Sequence, residues 1–193
     1  ELFKQKLDIA AKVAHTHYAF YLGASAQNLK TLPELQKVPH CPGIKIFMGS
    51  STGSLLVDSD QVLEEIVRTT KHLLVIHSED EKRMKERKQI AIDSGNPVSH
   101  PIWRDPESAM ISTKKIVALA EKYQHRTHIL HISTKDEMDF LKDHKNYVSV
   151  EILPQHLTLA APDCYEKWGT LAQQNPPIRD LTHQRGLWEG VLN

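Results

Sequence analysis

A lysine in the apolar stretch "CPGIKIFMG" (residues 41–49) is the first candidate for chemistry in the sequence. The residues around Lys45 are typical of a buried β-strand, where an ammonium group is costly without a partner. Two histidines end comparable apolar runs, His77 in "HLLVIH" and His131 in "HILHIS". Imidazole nitrogens bind divalent metal ions, whereas a free ammonium group would repel them. The three residues are compatible with one metal site if carbon dioxide carboxylates the lysine, because the product is an anionic group that can bridge two ions.

Short β-rich runs alternate with longer amphipathic runs, and this order predicts where those side chains lie. The strand-like runs number five, at residues 18–23, 44–47, 72–77, 127–133 and 147–153. Strands separated by helical stretches indicate βαβ units and a parallel sheet. The functional groups of such sheets collect at the carboxyl ends of the strands. Lys45, His77 and His131 are therefore predicted to lie at one rim of the sheet.

Two of the helical runs have recognisable ends. Asp58 or Ser59 can cap the helix at 60–70, and Gly95 can end the helix that precedes it. Five strands do not close an eight-stranded barrel, which usually needs about 250 residues. The sequence therefore predicts either a small open α/β sheet or the central part of a (β/α)8 TIM-type barrel, whose first and last strands would be missing from the chain. In both cases residues 1–193 are expected to form a single domain.

The overall charge gives no indication of a polyanionic partner. The 24 Lys and Arg residues balance 24 Asp and Glu residues, so no global field favours nucleic acid or an anionic membrane. The sequence has no apolar run of about 18 residues and no signal-peptide pattern. Cys41 and Cys164 are too few for a disulfide framework. These features predict a cytoplasmic protein that acts on a small molecule.

Five motifs together carry a resemblance to a known family. They are "GIKIFMGSSTG", "VIHSEDE", "HILHISTKDEM", "VEILPQHLTL" and "QNPPIRD". Their order and spacing resemble those of bacterial dihydroorotases, members of the amidohydrolase superfamily, over essentially the whole chain. The resemblance implies a binuclear zinc centre that interconverts N-carbamoyl-L-aspartate and L-dihydroorotate in pyrimidine biosynthesis, by attack of a metal-bridging hydroxide on the ring amide. It also implies a homodimer.

The resemblance assigns roles to four residues of this chain. It implies that Lys45 is the carboxylated lysine that bridges two zinc ions, that His77 and His131 bind the second ion, and that Asn175 contacts substrate. The family's His-x-His pair is expected before residue 1, and its general-base aspartate after residue 193, so no catalytic base is assigned here. Gln155 stands where the family often has a histidine, which leaves a further metal site without support.

Each assignment has a structural alternative. Lys45 could extend to solvent along its strand, and a lone histidine is more often a hydrogen-bonded core or rim residue than a metal ligand. Asparagine in a Pro-rich loop, as at Asn175, often does no more than stabilise the turn by hydrogen bonds to the backbone. The "HTH" sequence at residues 15–17 resembles a metal-binding pair but precedes its strand. It is therefore predicted to lie at the amino end of the strand, opposite the rim that carries the candidate site.

Other functions remain open at this stage. The loop "SSTG" at residues 50–53 precedes a helix and could hold a phosphate group, although it lacks the Gly-Lys-Ser/Thr sequence of phosphate-binding loops. Related cyclic amidases that act on hydantoins, dihydropyrimidines or allantoin would keep the same metal residues. An inactive dihydroorotase-like subunit, retained as a scaffold for aspartate transcarbamoylase, is a third possibility.

Overall fold

The computed structural model describes residues 1–50 and 55–192. Within these residues one sheet of five parallel strands has the sequential order β1-β2-β3-β4-β5. The strands are β1 Leu22–Gly23, β2 Gly43–Phe47, β3 Leu73–His77, β4 Thr127–Ile129 and β5 Val148–Val150. A spatial order that follows the chain is the winding of a barrel, whereas a doubly wound sheet reverses direction at a switch point. The predicted parallel α/β sheet is confirmed, with the topology of part of a barrel.

Helices follow or connect the strands throughout the described residues. They are α1 Leu2–Val13, α2 Leu32–Leu35, α3 Asp60–Thr69, α4 Glu81–Ser94, α5 His100–Trp103, α6 Pro106–Tyr123, α7 Lys135–Leu141, α8 Pro154–Thr158, α9 Asp163–Trp168 and α10 Leu181–Leu192. Short 3₁₀ turns lie at Pro97–Ser99 and Gly169–Ala172. In this part of the chain no helix combines the length and apolarity needed to cross a membrane.

The predicted helix ends are confirmed at two places. Ser59 caps α3, since its side chain accepts a hydrogen bond from the backbone of Val62. Gly95 ends α4 with a φ of 56°, in the left-handed region that glycine adopts without steric cost. At the other end of α4 the Asp80 side chain accepts from the backbone of Arg83. Local capping chemistry therefore sets the ends of these helices.

Three strands, β1, β4 and β5, are shorter than the sequence predicts. Leu22 pairs with Ile44, so residues 18–20 extend beyond the first residue of β2 and have no partner on that strand. β4 ends at Ile129, because His131 has a φ of 42° and this backbone conformation cannot continue a strand. The segment after β5 contains the short helices α8 and α9.

The sheet has an apolar face covered by helices and a second, more polar face. The strand side chains toward the helices are fully buried, and they include Ile44, Ile46, Leu74, Ile76 and Ile129. Burial of each such side chain contributes about 1.5–3 kcal/mol to folding. Because successive side chains alternate between faces, Lys45 and Phe47 lie on the other face and remain partly exposed. The candidate site is built on this second face.

Candidate metal centre

The structure brings Lys45, His77 and His131 to one region of the sheet. Phe47 and His77 are direct neighbours at the carboxyl ends of β2 and β3, and Lys45 lies two residues earlier on β2. The Lys45 Nζ atom is 4.1 Å from the centre of the Phe47 ring, and that ring is 5.8 Å from the His77 ring. His131 follows β4 by two residues and contacts His77 directly. The common rim expected from the sequence is therefore present in the structure.

The two imidazoles have the spacing of ligands that share one metal ion. His77 Nδ1 and His131 Nε2 are 3.2 Å apart, and the rings meet edge to face at 76°. Two nitrogen ligands of a tetrahedral zinc ion, each about 2.0–2.1 Å from the metal, lie about 3.3 Å from each other. The pair therefore fits one zinc ion. Among residues 1–50 and 55–192 no three His, Cys, Asp or Glu side chains group as a metal site, so within these residues the imidazole pair has no third partner of these types.

His131 is held in a state suited to metal binding. Burial, with smaller contributions from the charges of His77 and Lys45, lowers the pKa of His131 to about 3. Its imidazole is therefore neutral at pH 7 and has a lone pair available for a ligand. Its left-handed backbone, with a φ of 42°, costs of order 1 kcal/mol or more for a residue with a side chain. Such strain is concentrated at functional sites.

Burial also changes the chemistry of Lys45. Desolvation lowers the pKa of Lys45 to about 7, against an opposing effect of the negative charge of Glu151. Its Nζ atom donates a hydrogen bond to the carbonyl oxygen of Ile46, at 3.3 Å. The lysine is thus only partly protonated at neutral pH. Glu151 had no role in the sequence analysis, and it contacts His128 at 3.4 Å on the strand face that carries Lys45.

Glu79 is a second residue that the sequence analysis missed. It is fully buried, and its Oε2 atom lies 2.9 Å from His77 Nε2. Arg104 binds both of its carboxylate oxygens. Burial alone would raise the pKa of Glu79, but the hydrogen bond from His77 and the charge of Arg104 hold this pKa below its usual range. The one sequence signal was an acidic residue two positions after His77, in "HSED".

Asn175 lies in the loop before α10, and two buried histidines hold this loop. His100 Nε2 donates to the carbonyl oxygen of Gln174, at 3.0 Å, and His156 Nε2 contacts the carbonyl oxygen of Pro176, at 3.2 Å. The substrate role of Asn175 itself stays a prediction.

The two remaining sequence candidates lie apart from the imidazole pair or outside the described residues. His15 and His17 are exposed in the segment between α1 and β1, at the amino end of β1, as the sequence predicts. Of the loop "SSTG", only Ser50 belongs to the described residues. The backbone N–H of Ser50 donates to Glu81, at 2.6 Å, and its carbonyl oxygen accepts from Arg104, at 2.9 Å.

Comparison with curated proteins shows similarity to cyclic amidohydrolases. No family model matches the chain. A dihydroorotase of Methanosphaera stadtmanae is 26% identical over 187 residues, covering 94% of this chain and 42% of the relative. A dihydroorotase of Thermococcus kodakarensis is 29% identical over 97% of this chain and 40% of the relative. An allantoinase of Streptomyces avermitilis is 30% identical over 98% and 43%. The chain thus spans about two fifths of the length of these relatives.

Solved structures show the same fold. L-hydantoinase from Arthrobacter aurescens superimposes with a TM-score of 0.88 at 23% identity, over 97% of this chain and 43% of the hydantoinase. An inactive dihydroorotase-like domain from the CAD-like multifunctional protein of Chaetomium thermophilum gives a TM-score of 0.67 at 13% identity, over 98% and 45%. The sheet of this chain therefore corresponds to part of an amidohydrolase TIM barrel. These comparisons support an amidohydrolase-family, dihydroorotase-like identity for the chain.

Proposed function

We propose that the protein containing this chain is a zinc-dependent cyclic amidohydrolase that interconverts N-carbamoyl-L-aspartate and L-dihydroorotate. The observation that carries the proposal is the 3.2 Å separation of His77 Nδ1 and His131 Nε2 beside the partly neutral Lys45. The similarity to curated dihydroorotases supports this choice of substrate. A homodimer, implied by the family resemblance, and a cytoplasmic location, predicted from the sequence, belong to the same proposal.

His77 and His131 would hold one of two zinc ions, through Nδ1 and Nε2 respectively. Neutral imidazoles are good zinc ligands, and the lowered pKa of His131 keeps its ring neutral. When bound, a pair of zinc ions supplies a water molecule of lowered pKa and polarises the amide carbonyl. The proposal requires the remaining ligands, the His-x-His pair and the aspartate of the family pattern, from parts of the protein outside residues 1–193.

Lys45 would bridge the two ions after reaction with carbon dioxide. The lone pair of neutral Nζ would attack the carbon atom of carbon dioxide, so that a nitrogen–carbon bond forms while one C=O π bond breaks and its electron pair moves to that oxygen. The nitrogen then passes a proton to water. The product is a carbamate with one negative charge. Burial favours this reaction because it lowers the pKa of Lys45 to about 7, whereas an ordinary lysine with a pKa of about 10.4 is almost entirely protonated at neutral pH.

Asn175 would orient the substrate from the loop that His100 and His156 hold in place. An amide side chain can donate to a carbonyl and accept from a ring N–H, and both groups are present in a cyclic amide. The backbone of Gln174 and Pro176 is fixed by the two histidines, so the loop is anchored on both sides of Asn175. Ordered anchoring of this kind reduces the entropy lost when a substrate binds.

A hydantoinase-type or allantoinase-type activity is the second candidate, because the structural similarity is high for L-hydantoinase and the sequence similarity extends to an allantoinase. Purified full-length protein, loaded with zinc, should be assayed with dihydroorotate, hydantoin, dihydrouracil and allantoin. We expect kcat/KM for dihydroorotate to exceed the others by at least about 100-fold, because the other three compounds lack its carboxylate and would leave any polar partner of that group unpaired. Faster turnover of another cyclic amide would favour the second candidate. A zinc-loaded protein with no turnover would favour an inactive scaffold.

A further inference from the structure

We propose that Glu79, held by Arg104, is a positioning residue that fixes the tautomer of His77 and so directs the Nδ1 lone pair toward the metal. This inference rests on the proposed function for the nature of the site. Glu79 lies on the far side of the His77 ring from His131, so it does not compete for the same nitrogen. No motif of the family resemblance assigns it a role.

The hydrogen-bonding capacity of a carboxylate carries the first step. An ionised carboxylate accepts hydrogen bonds and cannot donate them. Glu79 Oε2 lies 2.9 Å from His77 Nε2, and both side chains are almost wholly buried, with exposures of 0% and 2%. Water therefore cannot replace either partner, and Nε2 must carry the proton. In a neutral imidazole the lone pair is then on Nδ1, the atom that lies 3.2 Å from His131 Nε2.

Arg104 carries the second step, because it keeps Glu79 in place as an acceptor. The guanidinium Nε donates to Glu79 Oε1 at 3.1 Å, and Nη2 donates to Oε2. Nη2 also donates to the carbonyl oxygen of Ser50, at 2.9 Å. The backbone of Arg104 is held in turn, since its carbonyl oxygen accepts from Arg179 Nη1. The carboxylate consequently has one available direction in which to accept from His77.

The arrangement is one that metal sites use to orient histidine ligands. A ligating histidine usually donates its second ring N–H to a carboxylate or carbonyl group, and loss of that partner weakens metal binding by about 10–100-fold. A buried ion pair such as Arg104–Glu79 gives little net stability. Its presence next to a proposed ligand is explained if it selects the imidazole tautomer.

The test is a Glu79→Gln variant of the full-length protein. If the amide oxygen of the introduced glutamine takes the position of Oε1 and accepts from Arg104 Nε, the –NH2 group takes the position of Oε2, and Arg104 Nη2 keeps the carbonyl oxygen of Ser50 as its acceptor. The –NH2 group then faces His77 and requires a lone pair on Nε2. The His77 proton would then move to Nδ1 and block the metal-facing atom. Long-range ¹⁵N–¹H correlation spectra of metal-free protein, labelled with ¹⁵N-histidine and assigned with a His77→Gln variant, report the tautomer directly. We expect Nε2–H in the wild type, Nδ1–H in the variant, and zinc affinity in the variant lower by about 10–100-fold.

A matched control is available on the surface. His144 Nδ1 contacts Glu121 Oε1 at 2.6 Å, with exposures of 24% and 45%, so Glu121→Gln makes the same chemical change away from the site. This control should leave the zinc affinity within about twofold of wild type, because solvent can replace the lost acceptor. Zinc affinity is measured by competition with a chelator, independently of turnover.

Two results would overturn the inference. One is a wild-type His77 that carries its proton on Nδ1 in the metal-free protein, and this measurement decides the matter even if the variant does not fold. The other is a folded Glu79→Gln protein that binds zinc as tightly as the wild type. If the protein shows no dihydroorotate turnover while the tautomer and zinc affinity change as expected, the proposed function fails and the role of Glu79 stands.

Discussion

At the scale of single residues, the central feature is a lysine whose environment leaves it only partly protonated at neutral pH. Burial lowers the pKa of Lys45 to about 7 although the charge of Glu151 opposes this shift. The Phe47 ring lies 4.1 Å from Nζ, and an aromatic face offers an ammonium group far less stabilisation than water does. Desolvation thus prepares the amine for reaction with carbon dioxide, and the neutral His131 beside it does not compete for a proton.

Replacement of Lys45 tests that role. Lys45→Ala in the full-length protein should lose one of the two proposed zinc ions and almost all turnover, because the bridging carboxylate is absent. Short carboxylic acids such as acetate or propionate should restore part of the activity by occupying the space of the carbamate. Metal analysis and steady-state kinetics measure both effects. Lys37→Ala is the control, since Lys37 is exposed and pairs with Glu34, three residues earlier; a similar loss in that variant would contradict the assignment.

The histidines at positions 15 and 17 provide a negative prediction. Both are exposed and precede β1, so they lie at the end of the sheet remote from His77 and His131. The double variant with glutamine at both positions should keep its zinc content, and its kcat should stay within about twofold of wild type, as expected for surface substitutions. A large fall in zinc content would show that the site lies on the other rim.

At the scale of elements, the cap of α7 connects helix stability with the site. Thr134 accepts from the backbone of Glu137 at 3.1 Å and donates to its side chain at 2.8 Å. Burial raises the pKa of Glu137, while hydrogen bonds from Thr113 and Thr134 oppose the shift. The cap lies three residues after His131. It therefore helps to hold the short segment in which the backbone of His131 is left-handed.

Removal of this cap should affect both stability and metal binding. Thr134→Val is expected to cost about 1–2 kcal/mol in the free energy of unfolding and to weaken zinc binding, because the segment after β4 loses its anchor. Ser59→Ala removes a comparable cap from α3 and should lower stability by about 1 kcal/mol or less with no change in zinc affinity. Denaturant melts and chelator competition give the two quantities. Equal zinc affinity in both variants would disprove the connection.

Elements were predictable from sequence where their signals are local. The Ser59 cap and the Gly95 end follow from chemistry within one turn of helix, and the alternating faces of β2 follow from its apolar pattern. The Glu79–Arg104 pair was not predictable. Arg104 follows α5 in a Pro-rich segment, and the sequence pattern of that segment does not indicate which way its side chains point. The effect of Glu151 on Lys45 was missed for a related reason: a pattern shows which face a residue occupies, but not which residue of a distant strand lies beside it.

At the scale of the whole molecule, the sheet has two edges within the described residues. β1 and β5 each pair on one side only, and unpaired strand edges promote association with other chains. The described residues also provide only two imidazoles and Lys45 at the proposed centre. The curated relatives are more than twice as long as the matched region.

These facts predict how residues 1–193 behave when expressed alone. We expect aggregation in size-exclusion chromatography, because the strand edges are unpaired. We also expect no dihydroorotate turnover, because the proposed carbamate would be stabilised chiefly by the two ions that it bridges. The full-length protein should be active under the same conditions. Turnover by residues 1–193 with added zinc would contradict this expectation and would direct the search for ligands to His100, Asp105 and His156.

The central claim, that Lys45, His77 and His131 form one metal centre, is tested most directly by X-ray diffraction at the zinc absorption edge. Crystals of the zinc-loaded full-length protein should give an anomalous difference peak within about 2.0–2.1 Å of both His77 Nδ1 and His131 Nε2. Electron density for a carboxylate should extend from Lys45 Nζ to the same ion. Zinc bound elsewhere, or an unmodified Lys45 beside two bound ions, would contradict the account.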